Sequence, residues 1–508
     1  MIAEWKIKAI FTIIKFAHPL GEYRMNILAH TIQKNYTQDL LNIFTDKCRT
    51  YVAPLTTSLS SLEYGQLISS LSDALAYIGR DALKATFEEM DLAFRNSPHR
   101  TSNYYVKQTR YRTIMTVFGE VTYKRTEYIE RSTRKPYCYV DRKIKLRSRE
   151  RFDCTVQSLI VETYANQNSM IKVGQLVGDR IVGAYSINSN RKQYTIPRQT
   201  VYNILHRLHT IKVAATPVNE TPDTLYVMAD EKYIYLQGED RSIHKYPKAM
   251  TKVAVVFEGR TKVSKDAKIP RYQLDNPYVF ASTQDRFWES FHDQLNIRYD
   301  LTKVRKIYLL GDGASWIVAG AHSLSTQHTK VSYALDKFHA NQAIQRITKD
   351  KAYTTLLTNY MITNMKNEFT QLVDSLLELY PDRVKAITEQ KKYILTHWSH
   401  IQTMYKTVKI GCAMEQAIYH IIASVFSNVP KAYTRQNIET YLSNRVNHLN
   451  ACDLRLLYLH AIDTKADDKN NVYLKPDEFD FSFFDTKNLR STYPLHLKTQ
   501  NFETITKF

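Results

Sequence analysis

The sequence predicts a mixed α/β fold, and three observations carry the prediction. Short β-branched and aromatic runs recur through the middle of the chain: Thr224–Leu236 (TLYVMADEKYIYL), Lys252–Glu258 (KVAVVFE), Lys303–Leu310 (KVRKIYLL) and Lys330–Leu335. Runs of this length and composition read as sheet strands. Apolar residues at helical spacing flank them on both sides, and strands mixed with helices pack as an α/β core. Between residues 110 and 129 the period becomes two: Ile114, Thr116 and Phe118, then Val121, Tyr123 and Arg125, alternate around Gly119-Glu120. That pattern predicts a β-hairpin.

Taken in order, residues 1–100 read as an α-helical N-terminal region. Leu67, Leu71, Leu75 and Ile78 fall near helical spacing, and Leu83, Phe87 and Met90 continue after Gly79. Residues 101–152 hold the hairpin and a basic segment. Residues 153–215 read as helical, with one helix from about Asp153 to Gln167, a second around Met170–Asp179, and a third opening at Pro197, a residue suited to a first helical turn. The last two, separated by an Asn/Ser stretch at Asn188–Asn190, are compatible with a helix-turn-helix. A recognition helix there would turn Arg198, Gln199, Thr200 and Asn203 toward a major groove; an ordinary surface helix fits the pattern equally. The strands of the core occupy 220–340, and a polar helical stretch spans 341–410. A further part of the core follows at 411–463, where Met414, Ile418, Ile421, Ile422 and Val425 keep helical spacing. Residues 464–508 are polar and aperiodic, a tail.

At 508 residues the chain has length for roughly three domains. With 44% hydrophobic and 24% charged residues, the composition is that of a globular protein, not of a disordered or collagen-like one. The five cysteines, at 48, 138, 154, 412 and 452, include no C-x-x-C pair, which argues against a zinc ribbon or a disulfide framework. The apolar Ile10–Phe16 is short, is interrupted by Lys15 and precedes no small-residue cleavage site. Neither a spanning helix nor a signal peptide is expected, so the expected location is cytoplasmic, with no membrane partner.

Lys plus Arg number 70 against 50 Asp plus Glu, a formal charge of +20. The excess is concentrated: from Arg100 to Lys212 there are 22 basic and 8 acidic residues. Within that region Arg131–Arg151 carries Arg142, Lys143, Lys145, Arg147 and Arg149, with Tyr137 and Tyr139 interleaved. A polyanion is the natural partner of such a run, because neutralised phosphates release counterions; a solvated basic face is the plainer reading.

Three acids stand out by their settings. Asp230 lies inside an apolar strand, Asp312 ends another between two glycines, and Glu415 lies on the apolar flank of a helix after Gly411. A buried carboxylate is costly unless it is paired or bound to metal. Converging carboxylates are reconciled by a hard divalent cation such as Mg2+, for which Mn2+ substitutes. Two such ions about 4 Å apart serve phosphoryl transfer. Each acid also has an ordinary reading: a strand Asp bonded to a loop, a Gly-Asp-Gly turn, a solvent-facing helix Glu. Glu231 competes with Asp230, and since strand neighbours face opposite sides only one of the two can point into a site.

The segments VMADEKYIYL, YLLGDGASWI, LDKFHANQAI and GCAMEQAIYHIIASVFS, in that order, resemble bacterial insertion-sequence transposases of the ISLre type. These are relatives of the Mutator-like group, and many were once filed as an uncharacterised protein family. RYRTIMTVFGEVTYKRTEYI resembles the hairpin that precedes their basic region. The resemblance spans roughly residues 100–450. It implies an RNase H-like catalytic core with an α-helical insertion, preceded by helical and basic DNA-binding regions. It implies an Asp-Asp-Glu triad of Asp230, Asp312 and Glu415 holding two Mg2+ ions. Asp336-Lys-Phe-His339 matches the Asp-x-x-His that follows the second acid in relatives; His339 would contact DNA or order the site, or else pack at a helix start. Trp316 would lie near the site or in the core. The implied activity is that of a DNA transposase. It would bind terminal inverted repeats, cleave the element ends and transfer the freed strand to target DNA, as a homo-oligomer on double-stranded DNA at the nucleoid. Arg142, Lys143, Lys145, Arg147, Arg149, Arg198, Gln199 and Asn203 are the candidate DNA contacts. SVFSNVPKAYT, after Glu415, lacks the arginine-rich, glycine-containing run of relatives. The alternatives are an inactive or domesticated DNA-binding regulator derived from a transposase, and another RNase H-like nuclease such as a junction resolvase.

Overall fold

A computed structural model describes residues 60–167, 169–181, 194–207, 211–243, 247–263, 272–408, 410–426, 432–463 and 472–474. Most of the expected N-terminal helical region, the Asn188–Asn190 stretch and nearly all of the tail therefore lie outside the described residues. The chain divides into two compact units, one comprising 1–164, 169–204 and 458–464, the other 165–168, 205–457 and 465–508. Among the described residues no helix is long and apolar enough to cross a membrane.

The first unit is built on helix α1 (Ser61–Arg95), opened by a capping box in which the Glu63 N–H and carboxylate bond reciprocally with Ser60. Two of its satisfied ends and one apolar stripe explain the helix: Phe87 and Phe94 are buried, whereas Leu75, expected inward from spacing, is exposed. A long antiparallel hairpin, β1 (Tyr104–Thr116) and β2 (Gly119–Glu130), packs on it, and β3 (Pro136–Tyr137) extends the sheet. Phe87 meets Ile114, Val121, Tyr123, Val140 and Leu146 in one core. Phe94 stacks on Tyr139 at 4.1 Å and meets Tyr104, Tyr128 and Tyr137. This corrects the reading of Tyr137 and Tyr139 as aromatics interleaved for a polyanion: they anchor the basic run to α1. Asp141 does the same electrostatically. Its carboxylate, 9% exposed, accepts from Arg125 and, at 2.7 Å, from Arg112.

Helices α2 (Cys154–Ala165), α3 (Met170–Ile181) and α4 (Arg198–Leu205) follow. Extended backbone leading into α4 lies directly on α3: the Ile196 N–H donates to the Gly174 carbonyl at 3.1 Å. A Cβ on Gly174 or Gly178 would stand 2.1 or 2.0 Å from a carbonyl oxygen of that segment, so only glycine allows the approach.

The second unit is organised by a five-stranded sheet. After β4 (Ile211–Val213) come β5 (Thr224–Tyr235), β6 (Lys248–Phe257), the small β7 (Gly259–Lys262) and β8 (Tyr272–Asp275) ribbon, β9 (Tyr278–Ser282), β10 (Lys306–Gly311) and β11 (Lys330–Leu335). The order across the sheet is β11-β10-β5-β6-β9. β5, β10 and β11 run parallel, while β6 is antiparallel to both β5 and β9. Helix α5 (Phe287–Arg298) joins β9 to β10, and α6 (Ser315–Ser323) joins β10 to β11. Both cover one face of the sheet, where Phe287, Trp288, Phe291, Leu295 and Ile317 pack against Val227, Ala229, Ala254 and Leu309.

The expected helical stretch begins earlier than residue 341, immediately after β11, and comprises α7 (Lys337–Ile347), α8 (Lys351–Thr363), α9 (Lys366–Leu379), α10 (Val384–Thr396) and α11 (Trp398–Lys406). It has a core of its own, including Ile344, Leu357, Phe369, Val373, Ile387 and Ile401. The expected single helix after Gly411 is instead α12 (Met414–Ile418), a wider π-type turn at Tyr419–Ala423 and α13 (Ser424–Phe426). The five periodic apolar residues are nevertheless all buried. Helices α14 (Arg435–Leu449) and α15 (Leu454–Asp463) follow. Within the expected tail, β12 (Val472–Leu474) pairs in parallel with β4: a strand stands where aperiodic polarity gave no sign of one.

Candidate active site

Strand register assembles the site. β5 and β10 are parallel with Met228 opposite Leu310, so Asp230 and Asp312 stand at the same level two residues beyond. β10 and β11 are parallel with Gly311 opposite Leu335, which sets Asp336 beside Asp312; the Asp336 N–H bonds the Gly311 carbonyl at 2.9 Å. Asp312 and Asp336 therefore follow the ends of β10 and β11, level with Asp230 inside the longer β5. In open α/β sheets this edge is where ligands bind, at the point where the strand connections reverse direction. Here that point lies between β5 and β10, between Asp230 and Asp312.

Alternation along β5 separates the two candidate acids. Glu231 shares the face of Val227 and Ala229, and its carboxylate accepts from the Trp316 indole N–H. Asp230 takes the other face with Met228, whose sulfur receives the Ala413 N–H at 3.3 Å just ahead of α12. Burial, with the charges of Asp312, Glu231 and Glu415 adding to it, pushes the Asp230 carboxyl up to about 7 despite a 2.7 Å bond from the Glu231 N–H. Neighbouring like charges raise a carboxyl in this way when nothing neutralises them.

Asp312 is held by its backbone and its neighbours. Its carboxylate accepts the Ala314 N–H at 2.9 Å ahead of α6. Its carbonyl accepts from the Tyr393 hydroxyl of α10. Gly313 takes φ +99°, and a Cβ there would stand 2.8 Å from His397 Nε2. The helical insertion thus grips the Gly-Asp-Gly turn. His397 and His400 lie with their Nδ1 atoms 3.2 Å apart, and burial lowers both imidazoles, Asp312 opposing the shift at His397 and His397 reinforcing it at His400.

Asp336 caps α7, accepting the Phe338 N–H at 3.3 Å, which fixes His339 one turn into the helix. His339 Nε2 lies 3.7 Å from Glu415 Oε1, and the Glu415 side chain is 58% exposed. Burial raises the Asp336 carboxyl to about 6; Glu415 adds to the shift, while the Phe338 N–H and His339 oppose it. Cys412 is a half-buried thiol that desolvation and the surrounding carboxylates push well up, which makes it a poor nucleophile.

The structure thus brings Asp230, Asp312, Glu415 and His339 into one neighbourhood, and adds Asp336, Tyr393 and His397, which sequence reasoning did not assign to the acidic set. Register could have found Asp336, since it follows its strand as Asp312 does, but strand order is invisible in the sequence. Trp316 is half-buried against Trp288 and Phe287 and serves Glu231. As donors, the carboxylates offer the hard oxygens that Mg2+ takes, and their mutual charge is what a cation would relieve. As placed, Glu415 faces His339, and among the described residues no three His, Cys, Asp or Glu side chains form a group that could hold a metal ion.

In the first unit Arg142, Lys143, Lys145, Arg147 and Arg149 are exposed around the inward Asp141, Ile144 and Leu146. Lys145 lies 3.6 Å from Asp463. On α4, Arg198, Gln199 and Asn203 are exposed, and Gln199 donates to Asn203 at 2.9 Å.

The model of an uncharacterised protein family, UPF0236, matches residues 58–460. The chain belongs to that family. Similar UPF0236 proteins occur in Caldanaerobacter subterraneus subsp. tengcongensis. One, carried under eleven locus names, is 24% identical over 431 residues, covering 83% of each chain. A second, TTE2489, is 25% identical over 442 residues, covering 85% of this chain and 86% of its own. A third, carried under four locus names, is 25% identical over 432 residues, covering 83% of each.

Proposed function

We propose that this UPF0236 protein is a DDE-type DNA transposase. The observation that carries the reading is the register that sets Asp230, inside β5, level with Asp312 just past β10, with Glu415 following a helical insertion and the charges of Asp312 and Glu415 both acting on Asp230. Numbered along the chain, the five strands of the sheet stand in the order 3-2-1-4-5, with the second antiparallel. This is the arrangement expected of an RNase H-like core. The exposed basic run supports a polyanionic substrate. A relative carried under eleven locus names in one bacterium fits a gene that copies itself about a genome.

In this reading the first unit holds duplex DNA through its exposed arginines and lysines, and the acidic edge of the sheet receives the scissile phosphodiester. Water adds to phosphorus, the bond from phosphorus to the 3′ oxygen breaks, and that oxygen leaves as a 3′-hydroxyl. The hydroxyl then displaces a 3′ oxygen of target DNA by the same exchange at phosphorus. Mg2+, held by Asp230, Asp312 and Glu415, would supply Lewis-acid activation and neutralise charge on the phosphate. Tyr393 and Gly313 fix the Asp312 turn, and His339 orients Glu415. Each step exchanges one ester bond or water for another, so no covalent protein–DNA intermediate is required.

The test is cleavage of a duplex carrying the element's own end, in Mg2+ or Mn2+, by wild type and Asp312→Asn. Cleavage by wild type alone supports the proposal. Specific binding without cleavage by either protein replaces it with a DNA-binding regulator, and equal cleavage by both means that the wrong acids are named.

A further inference from the structure

We propose that the corner between α7 and α8 is a second DNA-backbone contact, in the same compact unit as the carboxylates and separate from the basic run; the inference rests on the DNA-processing reading above. A groove of about 560 Å³ opens there, lined by Gln342, Gln345, Arg346, Lys349, Lys351 and three threonines. Its size is that of a small-molecule cleft, but such clefts are lined mainly by apolar and aromatic side chains. No apolar or aromatic residue lines this groove, so no aromatic ring is there for a nucleobase to stack on. Cations, amides and hydroxyls are the groups that contact the sugar-phosphate backbone, where the ligand stays hydrated and charge supplies the affinity.

The cations are set in place rather than scattered. The Arg346 guanidinium donates to Gln342 at 2.7 Å, which aligns it along α7. The Arg383 guanidinium donates to the Arg346 carbonyl at 2.6 Å, bringing a fourth positive charge to the same corner. None of Arg346, Lys349 and Lys351 forms an ion pair with a carboxylate among the described residues. The one acid between the two lysines, Asp350, is turned into the helix: its carboxylate caps α8 through the N–H groups of Ala352 and Tyr353, at 2.7 and 3.3 Å. The acids of α9 include Asp374, which Lys391 pairs. Four cations thus gather at the α7–α8 corner, where the nearest acid is spent on a helix cap.

The experiment is binding of a labelled, non-specific duplex of about 20 base pairs, in EDTA so that no strand is cut, followed over a salt series. Wild type is compared with Arg346→Gln/Lys349→Gln/Lys351→Gln and with a control, Lys366→Gln/Lys385→Gln/Lys392→Gln, which loses the same charge from exposed positions elsewhere on the insertion. At about 0.9 per phosphate contact, the groove variant is expected to lower the slope of log affinity against log salt by about 2 to 3, while the control changes it by less than about 1. A groove variant with the wild-type slope overturns the inference while leaving the DNA reading intact. So does an equal fall in both variants, which would report bulk charge alone. Failure of wild type to bind any duplex overturns both.

Discussion

Gly313 offers a quantitative test of how the insertion holds the Asp312 turn. Gly313 adopts φ +99°, and an added Cβ would meet His397 Nε2 at 2.8 Å, His397 Cε1 at 3.1 Å and Leu335 Cδ1 at 3.3 Å. Gly238 is a natural control: its φ is +64°, but a Cβ there meets nothing within 4 Å. Gly238→Ala therefore carries the backbone strain alone, about 1–2 kcal/mol. Gly313→Ala carries a similar strain plus the crowding of a packed site, about 1–3 kcal/mol more. His397 cannot swing aside cheaply, since it is 9% exposed and packs against Tyr393 and His400. For a unit of this size each kcal/mol lowers Tm by about 2–4 °C. Gly313→Ala should thus melt roughly 5–15 °C below wild type, and Gly238→Ala at most about half as far below. Thermal unfolding followed by circular dichroism reads both. In a double-mutant cycle, the same glycine substitution made in His397→Ala should cost about 1–3 kcal/mol less. A Gly313→Ala protein no less stable than Gly238→Ala, or a zero coupling to His397, would refute the argument.

Two further predictions concern charge. Asp230 is raised to about 7 in the folded chain and returns to the ordinary range near 4 when unfolded. Between those values the folded state keeps a proton that the unfolded state has lost, so this residue's contribution to stability falls as pH rises through the window and levels off above it. Urea midpoints of EDTA-treated protein at pH 5 and 8 should therefore fall less steeply in Asp230→Asn than in wild type, and the variant should be the more stable at pH 8; parallel profiles would contradict the assignment. In the first unit, Asp141→Ala removes the carboxylate that serves both Arg112 and Arg125, whose side chains are only 10% and 13% exposed. Arg112 loses its counter-charge and Arg125 keeps only Glu127, at 3.8 Å, a loss of about 3–5 kcal/mol. Urea unfolding measures it, and a change under about 1 kcal/mol would show that other acceptors suffice.

The elements legible in the sequence were those with strong local signals. β-branched runs marked β5, β6, β10 and β11 to within a few residues, because a strand buried on both faces must be apolar throughout. The short β9 and the β7–β8 ribbon went unread, since five residues or fewer carry no periodicity. On α1, spacing marked Leu75 and Phe87 alike, but of the two only Phe87, with Phe94, is buried against the hairpin: a long helix offers more than one apolar stripe, and the partner selects among them. Tyr137 and Tyr139 show the converse limit. Their place among arginines suggested a ligand, and only the position of Phe94 revealed them as core.

Sequence alone determined the chemistry available to this protein: a basic region rich in arginine and lysine, acids placed in apolar settings, and glycines around Asp312. Composition and local pattern suffice there, because charge, side-chain type and backbone freedom are properties of single residues and their neighbours. Tertiary structure decided which acids meet. Asp230, Asp312 and Asp336 stand together through parallel register between strands about 80 and 24 positions apart, and the raised carboxyls of Asp230 and Asp336 follow from burial and neighbouring charge that no linear spacing encodes. It also decided that Glu231 serves Trp316 and that α10 grips the Asp312 turn. Pairing across a sheet depends on the free energy of the whole core, so residues distant in the chain acquire their environment only when that core forms.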